Sequence, residues 1–344
     1  MRICLTIVFC GLVAACGQEP TGGPASDIPA VLETVRVAGE GDAADDPAVW
    51  IAPDAADSLI LGTDKTAGLY TYELTGEIAD FLPAGRLNNV DVRYDFALPG
   101  PRRDIAVASD RTNIGLAVFL IDPVDRSIET WPVIPLGDLT DPYGACLYES
   151  AQGGLYAFVT DKEPGTVVQL LLRYEGEGVI SGEEVRRFAT GSTTEGCVAD
   201  DRTGRLYVAE ETVAVWTIGA EPGDGTELEL FAAVDGDRIT ADAEGLALAP
   251  EGESGGLLMV SSQGDSAFAA FDLESGEFRG RVRIADGPTD RVSGTDGIEL
   301  TTAALGPAFP EGVLIVQDDE EDTGGQNFKL IDLAQVRGAL DAPR

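Results

Sequence analysis

Histidine is absent from the 344-residue sequence. That absence excludes a Ser-His-Asp triad, a phosphohistidine mechanism and a histidine-ligated zinc or iron centre. Lysine is nearly absent as well, occurring only as Lys65, Lys162 and Lys329. The 23 basic residues stand against 60 acidic ones, a net charge of −37. Such a surface repels nucleic acid and anionic headgroups and attracts cations, so nucleic-acid binding is excluded. No apolar run is long enough to cross a bilayer as a helix. Cysteine is scarce and oxygen ligands abound, so a bound metal is expected to be calcium or magnesium.

The N-terminus has the pattern of an export signal. Arg2 precedes an apolar run over residues 3–13, and the small residues Ala14 and Ala15 precede Cys16. Small residues directly before a cysteine form a lipobox, which predicts cleavage there and a lipid on Cys16. An ordinary signal peptide with an incidental cysteine is the plainer alternative. Gly17 after the cysteine gives no inner-membrane retention signal, so an outer-membrane anchor is expected, on its periplasmic or its surface face. Residues 16–30 read as a flexible tether rich in Gly and Pro, and residues 31–344 as one domain. Two cysteines remain in that domain, Cys146 and Cys197; a disulfide and two separate buried thiols both suit the sequence.

Self-similarity is the most informative feature. A strand-turn-strand unit recurs six times, ending at Lys65, Arg111, Lys162, Glu211, Gln263 and near Asp318, a spacing of 46 to 55 residues. Its first half often opens with an acid and a glycine, as in TEGCVADD and TDGIEL. Further candidate strands such as LYTYEL, AVFLID and AVWTIG lie between the copies. About four strands per repeat is the content of one propeller blade, which predicts an all-β, six-bladed β-propeller with antiparallel blades. A pair of β-sandwich domains would not give so regular a period. Residues 32–37 are expected to add a strand to the last blade and close the ring. Helical periodicity is confined to a terminal turn near residues 333–340.

Equivalent repeat positions share one end of a propeller. The first three repeats end in Thr63-Asp64-Lys65, Ser109-Asp110-Arg111 and Thr160-Asp161-Lys162, so two of the three lysines occupy one position. The later repeats carry acids at the same level: Glu195, Glu211, Asp242, Glu244 and Asp296. A basic half therefore faces an acidic half. Clustered carboxylates repel unless cations sit among them, and calcium favours such oxygen ligands. Phosphate suits the gap between the halves, held by metal on one side and by Lys and Arg on the other. Read from composition alone, the acids also suit structural calcium ligands or solvated loops.

The segments DDPAVW (45–50), GLYTYEL (68–74), GRLNNVDVRYDF (85–96), TEGCVADD (194–201), LYVAEE (206–211), EGLAL (244–248), SSQGDSAFAAF (261–271), TDGIEL (295–300) and QNFK (326–329) resemble, in order, the motifs of the β-propeller phytases. The resemblance implies calcium-dependent release of phosphate from phytate and lower inositol phosphates by attack of a calcium-bound water. It implies phosphate binding by Lys65, Arg111, Tyr143 and Lys162, which with Glu195 and Glu211 make up the catalytic set. Glu195, Glu211, Asp242, Glu244 and Asp296 correspond to acids of the catalytic calcium cluster, and Asp45 to a further one. Asp46 with the carbonyls of Pro47 and Val90 corresponds to a tight calcium site, and Asp290 with Asn327 to a second structural one. Thr66 stands where family members often carry a second lysine. Asn88-Asn89 reads as a turn pair and is left outside the site. A monomer is expected, touching the membrane only through its N-terminal lipid. Two other readings stay open: a non-catalytic propeller that captures phosphorylated ligands, and a calcium-dependent esterase or lactonase.

Overall fold

The two halves of each repeat pair with one another as adjacent antiparallel strands. A computed structural model describes residues 22–320 and 324–342; Cys16, the signal peptide and the first part of the tether lie outside them. Blade one holds Ala44–Trp50, Leu59–Asp64, Gly68–Glu73 and Ile78–Pro83, antiparallel and in that order. Blades two to five repeat the pattern from Leu87–Arg93, Pro142–Glu149, Thr194–Asp200 and Ala243–Glu251 outward. Blade six is built from Ile298–Thr301, Val313–Asp318 and Asn327–Asp332, with Leu32–Glu33 as its outer strand. The first strand of each blade touches the first strand of the next, and the sixth touches the first. The predicted six-bladed propeller is therefore the observed fold.

The core is divided as this architecture requires. Six apolar clusters lie between successive blades, one per interface. Val107, Leu116 and Val118 of blade two, for example, meet Leu147, Ala157 and Val159 of blade three, all buried. The second and third strands of blade two, Asp104–Asp110 and Gly115–Ile121, are buried along their whole length because neighbouring blades cover both faces. Outer strands such as Ile78–Pro83 are mostly exposed, with Leu82 alone buried. The terminal helix, Leu333–Asp341, is capped by the Asp332 side chain on the Ala334 amide. It buries Leu333, Val336 and Leu340 in the cluster between blades five and six.

Closure involves more of the N-terminus than the sequence suggested. Leu32–Glu33 pairs with Leu330 and Lys329, and the amides of Thr34 and Val37 bond the carbonyls of Phe328 and Gln326 at 2.8 and 3.0 Å. Ser26–Pro29, read as tether, instead lies parallel to Phe278–Ala285 as a fifth strand of blade five. The segment 22–33 thus straps blade five to blade six. Cys146 and Cys197 form a disulfide between the first strands of blades three and four, with Cα atoms 5.8 Å apart.

Candidate active site

One irregularity, repeated around the ring, builds the site. The pairing between first and second strands slips between Ala44 and Pro47, Leu87 and Val90, Pro142 and Ala145, Thr194 and Cys197, and Ala243 and Leu246. Each slip is a β-bulge that leaves a pair of residues outside the ladder and re-aims a side chain. The pairs are Asp45-Asp46, Asn88-Asn89, Tyr143-Gly144, Glu195-Gly196 and Glu244-Gly245. In blade six Asp296-Gly297 takes the same place, with the Asp296 amide on Gln317 Oε1 at 2.8 Å. The bulges also bond each other: the Gly245 amide meets the Asp296 carbonyl at 2.9 Å, and the Gly297 amide the Asp45 carbonyl at 3.0 Å.

The residue following each second strand forms a second ring. The amides of Lys65, Arg111, Lys162, Glu211, Gln263 and Asp319 bond the carbonyls of Ala43, Arg86, Asp141, Thr193, Asp242 and Ser293, at 2.6 to 3.1 Å. Equivalence read from the repeat is thus equivalence in space, and the basic and acidic halves share one end of the propeller. Among the described residues, Glu195, Glu211 and Glu244 each offer an oxygen within 4.8 Å of the other two. Glu211 Oε1 and Glu244 Oε2 are buried without a hydrogen-bond partner.

Burial and crowding shape the charges here. Burial, then repulsion from Asp296, pushes Glu195 up to about 7. Burial and Asp242 push Glu211 to about 7. Glu244 is raised by burial and by Glu195 and Glu211. Asp45 is raised by burial, against the opposing pull of Lys65. Lys65 Nζ contacts Asp296 at 2.7 Å and Asp45 at 3.2 Å, and also pairs with Asp42. Burial disfavours its charge, but Asp45 and Asp296 hold it above the ordinary lysine value. Lys162 Nζ lies 3.3 Å from the Tyr143 hydroxyl and 4.3 Å from the ring centroid. Arg111 forms a bidentate pair with Asp141 at 2.7 and 2.8 Å.

A divalent cation suits this donor set. Three carboxylates converge, two of their buried oxygens lack partners, and the raised values reflect charge that burial leaves uncompensated. Asp46, Pro47 and Val90 line the axial channel beneath, a cavity of about 210 Å³, where Asp46 Oδ2 accepts from the Val90 amide at 2.9 Å. Asp290 and Asn327 lie apart from this centre. Asp290 contacts Lys329 Nζ, which also reaches Glu33 at 3.0 Å and Asp318 at 3.2 Å. Asn327 Nδ2 donates to the Thr34 carbonyl at 3.3 Å. An ammonium group already serves the acids around Asp290.

Two residues set aside in the sequence belong to the centre. Asn88 and Asn89 are buried and donate to Glu195 Oε1 at 2.8 and 3.4 Å. Their repeat position, shared with Asp45-Asp46, was the signal. Gln263, on Asp296 Oδ1 at 2.5 Å, was missed because it carries no charge.

A sequence profile described as phytase matches residues 18–343. The chain belongs to the phytase family. It is 39% identical over 324 residues to the 3-phytase of Bacillus subtilis strain 168, covering 90% of this chain and 84% of that protein. Solved propellers share the fold alone. The PQQ-bound aldose sugar dehydrogenase of Streptomyces coelicolor aligns with a TM-score of 0.52 at 13% identity, over 88% of this chain and 96% of that one. A glucose dehydrogenase gives 0.51 at 14% identity, over 86% and 97%. The propeller is shared with proteins of other function, so the fold by itself assigns no chemistry to the bulge residues.

Proposed function

We propose that the chain is a calcium-dependent phytase that hydrolyses phosphate monoesters of phytate and of lower inositol phosphates. The observation that carries the reading is the opposition of Lys65, Arg111 and Lys162 to Glu195, Glu211 and Glu244, with orphaned carboxylate oxygens between. Glu195, Glu211 and Glu244, supported by Asp45, Asp242 and Asp296, would hold calcium in the acidic half. Bound there, calcium would offset the charge of acids and phosphate and lower the pKa of a water molecule. Lys162 and the Tyr143 hydroxyl grip one phosphate, and the unspent donors of Arg111 neutralise its oxygens as charge develops. One of these carboxylates, Glu211 or Glu244, accepts a proton from the attacking water. The water oxygen bonds phosphorus as the ester P–O bond breaks, and the ester oxygen leaves with its electron pair and takes up that proton, releasing the alcohol and inorganic phosphate. Asp46 with the Pro47 and Val90 carbonyls is proposed as a structural calcium site in the channel. Asp290 with Asn327 is proposed as a second, in blade six, where calcium would have to displace the Lys329 ammonium from Asp290.

Phosphate release from phytate, measured as calcium is titrated, tests the reading. Glu244→Gln and Glu195→Gln are expected to raise the calcium needed for half-maximal rate about 10-fold or more. An unchanged calcium dependence would remove these acids from the metal centre. We further propose that Cys16 carries the lipid that anchors a monomer to the outer membrane. Labelled fatty acid should enter the protein and be lost in Cys16→Ser; label retained in that variant would refute the assignment.

A further inference from the structure

Asn88 is fully buried between a cation and an anion that the proposed reaction uses separately. Its Oδ1 accepts from Arg111 Nη1 at 3.3 Å, and its Nδ2 donates to Glu195 Oε1 at 2.8 Å. We infer that Asn88 is a positioning residue that locks the phosphate-binding guanidinium of Arg111 to the metal-binding carboxylate of Glu195; the inference rests on the functional reading above.

Chemistry fixes the amide's orientation. A guanidinium can only donate and an ionised carboxylate only accept, so the carbonyl end must meet Arg111 and the amino end Glu195. Asp141 takes Nε and Nη2 of Arg111, and Asn88 takes Nη1. Three of five donors are thereby committed within the protein, the guanidinium plane is set, and two remain for phosphate oxygens. The Tyr143 ring, 5.4 Å from the guanidinium, flanks it. On the other side the amide holds one Glu195 oxygen and leaves its partner oxygen to the acid cluster. A carboxylate at position 88 would add charge to a group already crowded by Asp45, Glu195, Glu244 and Asp296. An aliphatic residue would free both neighbours. The neutral amide alone serves both ends, and the blade-two bulge points it between them.

The test is a double-mutant cycle among Asn88→Ala, Arg111→Ala and Glu195→Gln, read as kcat and KM for phytate. Calorimetric titrations with calcium chloride and with inorganic phosphate accompany it. Asn88→Ala alone should lower kcat/KM about 10–100-fold, as for residues that orient metal ligands, and weaken calcium and phosphate binding together. On the Arg111→Ala or Glu195→Gln background the further loss should be clearly smaller than in the parent, because one of the two coupled contacts is already removed or weakened. Full multiplication of the losses on both backgrounds, or an Asn88→Ala enzyme equal to the parent, overturns the inference. If Asn88→Ala does not fold, Asn88→Ser in the same cycle decides on the same criteria. A parent protein that releases no phosphate defeats the functional reading instead; the calorimetric cycle then judges Asn88, and additive calcium and phosphate effects overturn its role.

Discussion

A methyl group at Gly196 would stand 2.2 Å from the Glu244 carbonyl oxygen, and one at Gly144 only 1.9 Å from that of Glu195. The acid-then-glycine signature of the repeats therefore records contact between neighbouring bulges. Gly196→Ala is expected to destabilise the protein by about 1–3 kcal/mol, as overpacking does, and to raise the calcium requirement by shifting Glu195. Urea unfolding and a calcium titration check both, and a variant with parental values would mean the bulges are free to part. Lys162→Ala removes a phosphate ligand and should lower kcat about 10²–10³-fold. Its unfolding midpoint should stay near the parent's, since the ammonium lies at the water-facing site; a large fall would mark the lysine as structural. The lysines were legible in the sequence because the chain has so few that two at one repeat position stood out. Asn88 and Asn89 were not, since adjacent asparagines equally suit a turn. Only the pairing register turns them to the axis.

At the scale of elements, the strands were legible because each blade's second strand is a largely apolar run closed by polar residues, as in Leu59–Asp64 and Asp104–Asp110. The bulges were not, because a pair of residues outside the ladder leaves no mark on a hydrophobic pattern. Ser26–Pro29 was hidden for a related reason: a short polar edge strand has the composition of a linker, and only its partner on blade five distinguishes it. The disulfide joins first strands 51 residues apart in sequence, three and two residues beyond Tyr143 and Glu195. Replacing both Cys146 and Cys197 by alanine should lower stability by about 2–4 kcal/mol, and a reductant should do the same to the parent. Urea midpoints unmoved by either treatment would contradict the link between blades three and four.

The whole molecule combines a net charge of −37 with acids gathered at one end of its axis. Glu195 and Glu211 titrate near 7 in the folded, calcium-free chain, against about 4.3 for an exposed glutamate. Between those values the folded state binds more protons than the unfolded state. Their contribution to stability is therefore full at low pH and is lost as pH rises through about 7. Calcium, which binds the ionised form, should offset that loss. Calorimetric melting with chelator should accordingly fall between pH 5 and 8, and calcium should raise it more at pH 8 than at pH 5. The reverse order would place the charge problem elsewhere. A ring of blades suits this arrangement, since five bulges and the equivalent blade-six segment meet at one axis and no single sheet could gather so many acids.

Phosphate release from phytate at neutral pH, with calcium and then with excess chelator, tests the central claim most directly. The account predicts steady release with calcium, abolition by chelator and recovery when calcium is returned. Release that persists in chelator would contradict the metal centre. Saturable phytate binding without turnover, in folded and calcium-loaded protein, would make the chain a binding propeller rather than a hydrolase.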